Sequence, residues 1–120
     1  MPVTFSQQER RALLRVLRAG RRSAISAKRL AEALGYPASG NQVRLRSLIK
    51  ECIENDNDLI GAATGRPVGF FKIATVEELE KYIDTLEGRI RSDNDRRTAL
   101  INSWNNRPSA PTSKHPLRVR

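Results

Sequence analysis

The stretch from Ile25 to Ile53, ISAKRLAEALGYPASGNQVRLRSLIKECI, constrains the fold more than any other part of the chain. Ser26 is a residue type that caps helix N-termini, and Leu30, Ala31 and Leu34 then fall on one helical face. Gly35 follows, suited to the left-handed position that ends a helix, and Tyr36-Pro37-Ala38 turns the chain. Ser39 or Asn41 is expected to cap a further helix reaching about Glu54, with Leu45, Leu48, Ile49 and Cys52 on one side. Ser39, Val43, Arg46, Ser47 and Lys50 project to the other. Helices this short are marginal alone, so their apolar stripes must pack on each other and on a neighbouring element.

The neighbour stands upstream. Ser6-Gln7-Gln8-Glu9 has the S-x-x-E form of a capping box and predicts a helix through Arg10–Ala19 that stops near Gly20. Its inward face carries Leu13, Val16 and Leu17, with Leu14 beside them, and Arg11, Arg15, Arg18 and Arg22 form a stripe on another face. Beyond Asn55-Asp56-Asn57-Asp58 the pattern turns extended: Leu59–Ala63 and Val68–Ala74 read as strands of a hairpin, reversed at Thr64-Gly65-Arg66-Pro67. Thr75-Val76-Glu77-Glu78 is a second capping box, opening a long helix with Leu79, Ile83, Leu86 and Ile90 on one stripe. Leu100, Ile101 and Trp104 resume that stripe, and Asp93, Asn94, Asp95 and two arginines interrupt it, where a kink or break is expected.

The fold class that follows is mostly α with a small β-hairpin, in one domain over residues 1–75, a C-terminal helix over 76–106 and a basic flexible tail over 107–120. The segment Ser26-Ala-Lys-Arg-Leu-Ala-Glu-Ala-Leu-Gly35, then Asn41-Gln-Val-Arg-Leu-Arg-Ser-Leu-Ile-Lys50, then Leu59–Ala74 resembles the winged helix-turn-helix family. GRPVGFFKIATVEELEKYIDTLEGRIRS also looks like the wing and following helix of small helix-turn-helix proteins of phages and mobile elements. The resemblance implies three helices plus a wing, with the third helix in the major groove of double-stranded DNA and the hairpin on flanking DNA.

Charge points the same way. Residues 1–50 hold eleven lysines and arginines against Glu9 and Glu32, residues 51–106 carry a net −4, and residues 107–120 a net +4. A basic face of this kind attracts polyanions. Asn41, Gln42, Val43, Arg46, Ser47 and Lys50 are the candidate base readers: arginine matches two acceptors on guanine, glutamine or asparagine matches adenine, and a small apolar group meets a thymine methyl. Arg11, Arg15, Arg18, Arg22, Lys28, Arg29, Ser39, Arg44 and Arg66 are the candidate phosphate contacts. Glu51 and Glu54 are expected to limit how much of the reading helix approaches phosphate.

Other chemistries find little support. Cys52 and His115 are the single cysteine and histidine, too few for a zinc site or a nucleophile–base pair; Cys52 belongs to the apolar set and reads as a core thiol. Glu54-Asn-Asp56-Asn-Asp58 lacks the glycine and closing glutamate of a calcium loop, and no lysine-serine pair follows Gly61, Gly65 and Gly69 to cradle phosphate. Neither an enzyme nor a cofactor is expected. A lone cysteine and the lack of a signal peptide or an apolar run of about 18 residues point to the cytoplasm. Two roles compete for the last helix: a cover for the domain's own core, or a homodimer interface through Leu79, Ile83, Leu86, Ile90, Ile101 and Trp104. The expected function is DNA binding as a transcriptional regulator or a phage or mobile-element accessory protein. The alternative is an adaptor that binds a host protein.

Overall fold

A computed structural model describes residues 4–106 of the chain. In chain order it contains α1 (Gln7–Val16), a 3₁₀ turn (Arg21–Ser23), α2 (Ala27–Leu34), α3 (Val43–Asn55), β1 (Ile60–Ala63), β2 (Gly69–Lys72) and α4 (Val76–Asn105). The fold is mostly α: three helices, an antiparallel hairpin and a long final helix, in the expected order. The expected flexible tail, with His115, lies outside the described residues. The chain divides into two compact units at Tyr82 and Ile83, so α4 begins in the first and ends in the second. Among the described residues no helix is long and apolar enough to cross a membrane.

Local signals set the helix starts. The Ser6 hydroxyl accepts from Glu9 N–H and the Glu9 carboxylate accepts from Ser6 N–H, completing the box at α1. Ser26 Oγ accepts from Arg29 N–H at α2, and Gly35 ends that helix with φ +75°, where a side chain would be strained. Leu13, Leu30, Leu45, Leu48 and Cys52 are fully buried, and Phe5, Leu17, Ala31, Ile49 and Ile60 complete the core that α1, α2, α3 and β1 share. Truncating a leucine in such a core costs about 2–5 kcal/mol.

Three expectations are corrected. First, α1 ends at Val16, not Ala19, because the chain beyond it is taken up by the hairpin. Lys72 N–H donates to the Arg18 carbonyl, Gly20 N–H to the Lys72 carbonyl, and Ile25 and Phe70 exchange both backbone bonds at 2.9 and 2.8 Å. The α1–α2 connection thus lies along the edge of β2 that β1 leaves open, held there by two isolated bridges, one parallel and one antiparallel. Gly69 fits here with φ +141°, since a Cβ would collide with the Ile25 carbonyl oxygen. Second, neither Ser39 nor Asn41 caps α3; Gln42 holds that place in a left-handed conformation. Third, α4 runs unbroken past Asp93–Asp95, and its capping box is half formed. Thr75 Oγ1 accepts from Glu78 N–H, but the Glu78 carboxylate accepts from Ala74 N–H and Arg21 N–H.

Candidate nucleic-acid interface

The outward face of α3 is centred on Val43, Ser47 and Lys50, all exposed, with Glu54 following one turn later. Two arginines flank this ridge and are held in opposite directions. Arg46 donates through Nε to the Asn41 carbonyl at 2.8 Å, and its guanidinium lies 5.7 Å from the Phe70 ring centre, so it bridges α3 to the hairpin. Arg44 lies 4.8 Å from the Phe5 ring centre and 5.4 Å from that of Tyr36, with Glu9 Oε2 at 3.4 Å. Tyr36 donates its hydroxyl to the same Glu9 oxygen at 2.7 Å. That bond, with the Ser6 N–H, holds the Glu9 carboxyl below its usual range, and burial followed by Glu9 pushes Tyr36 up to about 12. Arg44 therefore faces an ionised carboxylate, which offsets part of its charge.

The turn before α3 is internally tied. Gln42 donates both Nε2 hydrogens within the turn, to the Ala38 carbonyl at 2.8 Å and the Gly40 carbonyl at 2.7 Å. Only its amide oxygen remains to meet a ligand. Ser39, Asn41 and Gln42 instead form, with Pro37, Val43, Ser47 and Lys50, the wall of a groove of about 730 Å³ whose other side is Thr4 and Phe5.

Glu51 lies at the base of that groove and is turned inward, 9% exposed. It accepts from Thr4 N–H at 2.6 Å and Phe5 N–H at 3.0 Å, with Arg10 Nη1 at 3.8 Å. The expected clash between Glu51 and phosphate is thereby removed: its charge is spent on the N-terminal segment. Glu54 does stay on the surface, beside Lys50 at 4.0 Å.

The remaining cations are spread over several local structures. Arg11 and Arg15 are exposed on α1, but Arg18 lies in the extended connection and Arg22 in the 3₁₀ turn, so no single helical stripe joins the four. Lys28 and Arg29 are exposed on the first turn of α2, and Arg66 is exposed at the hairpin tip. Arg21, missed by the sequence reading, sends its guanidinium across Gly65 closely enough that a Cβ there would overlap it. The tip therefore carries two arginines. The adjacent Gly20-Arg21-Arg22 gives no hint of which arginine turns toward the hairpin.

One cluster has the donor types of a cation site. Cys52 Sγ and the carboxylates of Asp56 and Asp58 lie within 4.8 Å of one another. Asp56 already pairs with Arg10 at 2.7 Å, and burial pushes the Cys52 thiol up to about 12, far from the thiolate that a soft metal needs. The group is better suited to fastening the end of α3 to α1.

On α4, Leu79 is half-buried, Ile83, Leu86 and Ile90 are exposed, and Trp104 is partly covered. Ile101 is 6% exposed within the single chain, whereas Leu100 is 66% exposed. No family model, curated protein or solved structure matches this chain.

Proposed function

We propose that the protein is a winged helix-turn-helix module that binds double-stranded DNA, with α3 in the major groove and the Arg21–Arg66 hairpin tip on flanking backbone. The observation that carries this reading is Arg46, fixed between the Asn41 carbonyl and Phe70, which sets the open face of α3 and the hairpin side by side. The isolated bridge between Ile25 and Phe70 supports it, since a wing needs an anchored edge to hold its angle. Base reading falls first to Val43, Ser47 and Lys50, with Asn41 at the rim; Arg46 reads from the hairpin side. Gln42 acts chiefly by shaping the turn. Arg11, Arg15, Arg18, Arg22, Lys28, Arg29 and Arg66 supply salt-dependent attraction to phosphate. The module works as a binder rather than an enzyme, in a regulator or a phage or mobile-element accessory protein.

Selection of bound duplexes from a random pool, followed by salt titration of the winner against random DNA, tests this. Ser47→Ala with Lys50→Ala should lower discrimination by about 1–3 kcal/mol per lost base contact. Arg66→Ala should weaken all sequences alike and flatten the salt slope by about one. Unchanged discrimination in the α3 pair rejects the reading helix. The groove, with Phe5, Pro37 and Val43 in its wall, favours a host-protein adaptor as the second reading. Capture of a protein that survives nuclease, with no salt-dependent DNA binding, would establish that role instead.

A further inference from the structure

Within the second unit, one side of α4, exposed at Leu86, Ile90, Asp93 and Leu100 and partly covered at Arg97 and Trp104, has between Leu86 and Trp104 a pattern that reads the same in both directions. Leu86, Ile90, Asp93, Arg97, Leu100 and Trp104 are spaced by four, three, four, three and four residues, the alternation of a helix–helix seam. Ile90 is 68% exposed and Leu100 66%, too apolar for a face that solvent alone should cover. The two charged members stand at the centre. The sequence order is apolar, apolar, acid, base, apolar, apolar.

We propose that α4 pairs with α4 of a second copy in the antiparallel sense, about a two-fold axis at Asp95. This register places Leu86 against Trp104 of the other copy, Ile90 against Leu100, and Asp93 against Arg97, each contact occurring twice. Each of these four apolar residues meets an apolar one and each charge meets its opposite. A parallel in-register pair would set Asp93 against Asp93 and Arg97 against Arg97 in the seam, where like charges repel and solvent is reduced. A polar layer at one level of an otherwise apolar seam fixes register and orientation at some cost in affinity. Arg97 and Trp104 also have interactions within their own chain. A guanidinium has five donors, so Arg97 can serve a partner carboxylate besides these. The pairing goes beyond the DNA-binding reading and does not depend on it.

Sedimentation equilibrium of the full chain without DNA is the test. A monomer–dimer equilibrium is expected. Asp93→Arg should weaken it by about tenfold, or 1.4 kcal/mol, by setting a second guanidinium against Arg97 of the other copy. Adding Arg97→Asp to that variant should restore the wild-type constant to within about threefold, since the pair is merely exchanged. Circular dichroism confirms that the helix persists in each variant. Orientation is read by a spin label on Asp84→Cys, the native Cys52 being buried. Residue 84 stands eleven positions from the axis, so antiparallel copies carry their labels about 33 Å apart along the helix, and parallel copies side by side. A chain that stays monomeric at about 100 μM, an undiminished dimer in Asp93→Arg, failed rescue by the double exchange, or a short label distance each overturns the pairing. Any of these leaves the α3 reading intact.

Discussion

Replacing Glu51 by alanine separates the inward carboxylate seen here from the outward one that its helix position suggests. The loss is worked from its partners. Phe5 N–H is buried and has Glu51 at 3.0 Å; a hydrogen bond to a charged acceptor contributes about 1.5–3 kcal/mol. Thr4 N–H, at 2.6 Å, is only part-buried, so water recovers some of its bond and about 1 kcal/mol is lost there. Arg10 keeps Asp56 at 2.7 Å and the Phe5 carbonyl at 2.9 Å, and adds little. The expected destabilisation is about 3 kcal/mol, a large share of the roughly 5–15 kcal/mol that holds a small domain folded. In a unit of this size that lowers Tm by roughly 12–24 °C.

Thermal and urea unfolding followed by circular dichroism measure this. Glu51→Gln keeps one accepting oxygen but turns an N–H toward an N–H, and should lose about half as much. Glu54→Ala, three residues on, breaks a surface pair worth about 0–1 kcal/mol and should melt near wild type. DNA affinity, measured well below the melting range, should fall slightly in Glu51→Ala, because Glu51 holds the Phe5 backbone and Arg44 rests on the Phe5 ring. Equal melting of Glu51→Ala and Glu54→Ala, or tighter DNA binding by Glu51→Ala at unchanged Tm, would refute the inward role.

Gly69→Ala forces a methyl group against the Ile25 carbonyl at a positive φ and should cost at least about 2 kcal/mol, with loss of hydrogen-exchange protection at Ile25 and Phe70; wild-type protection in a folded variant would contradict it. Cys52, fully buried and pushed up to about 12, should be on the order of one part in ten thousand thiolate at pH 8. Iodoacetamide labelling should therefore track unfolding with urea, and rapid labelling of native protein would mean that the thiol is reached from solvent. The Glu78 carboxyl is held below its usual range chiefly by Arg21 N–H, then Ala74 N–H. A depressed folded pKa gives stability that is present above the ordinary carboxylate pKa of about 4.3 and lost as pH falls through the folded value. The gap between wild type and Glu78→Gln in urea melts should be full at pH 6.5 and shrink below about pH 4; a gap independent of pH excludes that contribution.

The elements were legible because their signals are local. Ser6 with Glu9, Ser26, Gly35 and the glycine-proline reversal after Ala63 each act within a few residues, and the apolar spacing of Leu45, Leu48, Ile49 and Cys52 names the buried side of α3 directly. Two of the readings that failed concern residues with a distant partner, and the cap of α3 is set by a bond within its own turn. Leu17–Ala19 continue the helical pattern of α1, yet Lys72 of β2, more than fifty residues on, bonds the Arg18 carbonyl and the Gly20 N–H instead. Glu78 satisfies the capping-box spacing, yet one of its oxygens is claimed by Arg21 N–H. Ser39 and Asn41 are better capping types than Gln42, but the longer side chain of Gln42 reaches two carbonyls of the turn at once.

The same distinction sorts the candidate site. Val43, Ser47 and Lys50 were readable as outward because a helix has only one buried side, and that side was already assigned. Arg44 and Arg46, two positions apart and so on opposite flanks of the ridge, are separable by pattern into a phosphate candidate and a base-reading candidate, but not by the partners that hold them. Their difference comes from what stands beside α3, an ionised Glu9 under Arg44 and the Phe70 ring under Arg46. A salt titration should therefore give them unequal weight. Arg44 exchanges Glu9 for phosphate and regains part of what it loses, whereas Arg46 carries no carboxylate within ion-pair distance among the described residues. Arg46→Ala should reduce DNA affinity several-fold more than Arg44→Ala. Glu9→Gln, which frees the charge on Arg44, should narrow that gap, and an unchanged gap would show that Glu9 does not set the difference.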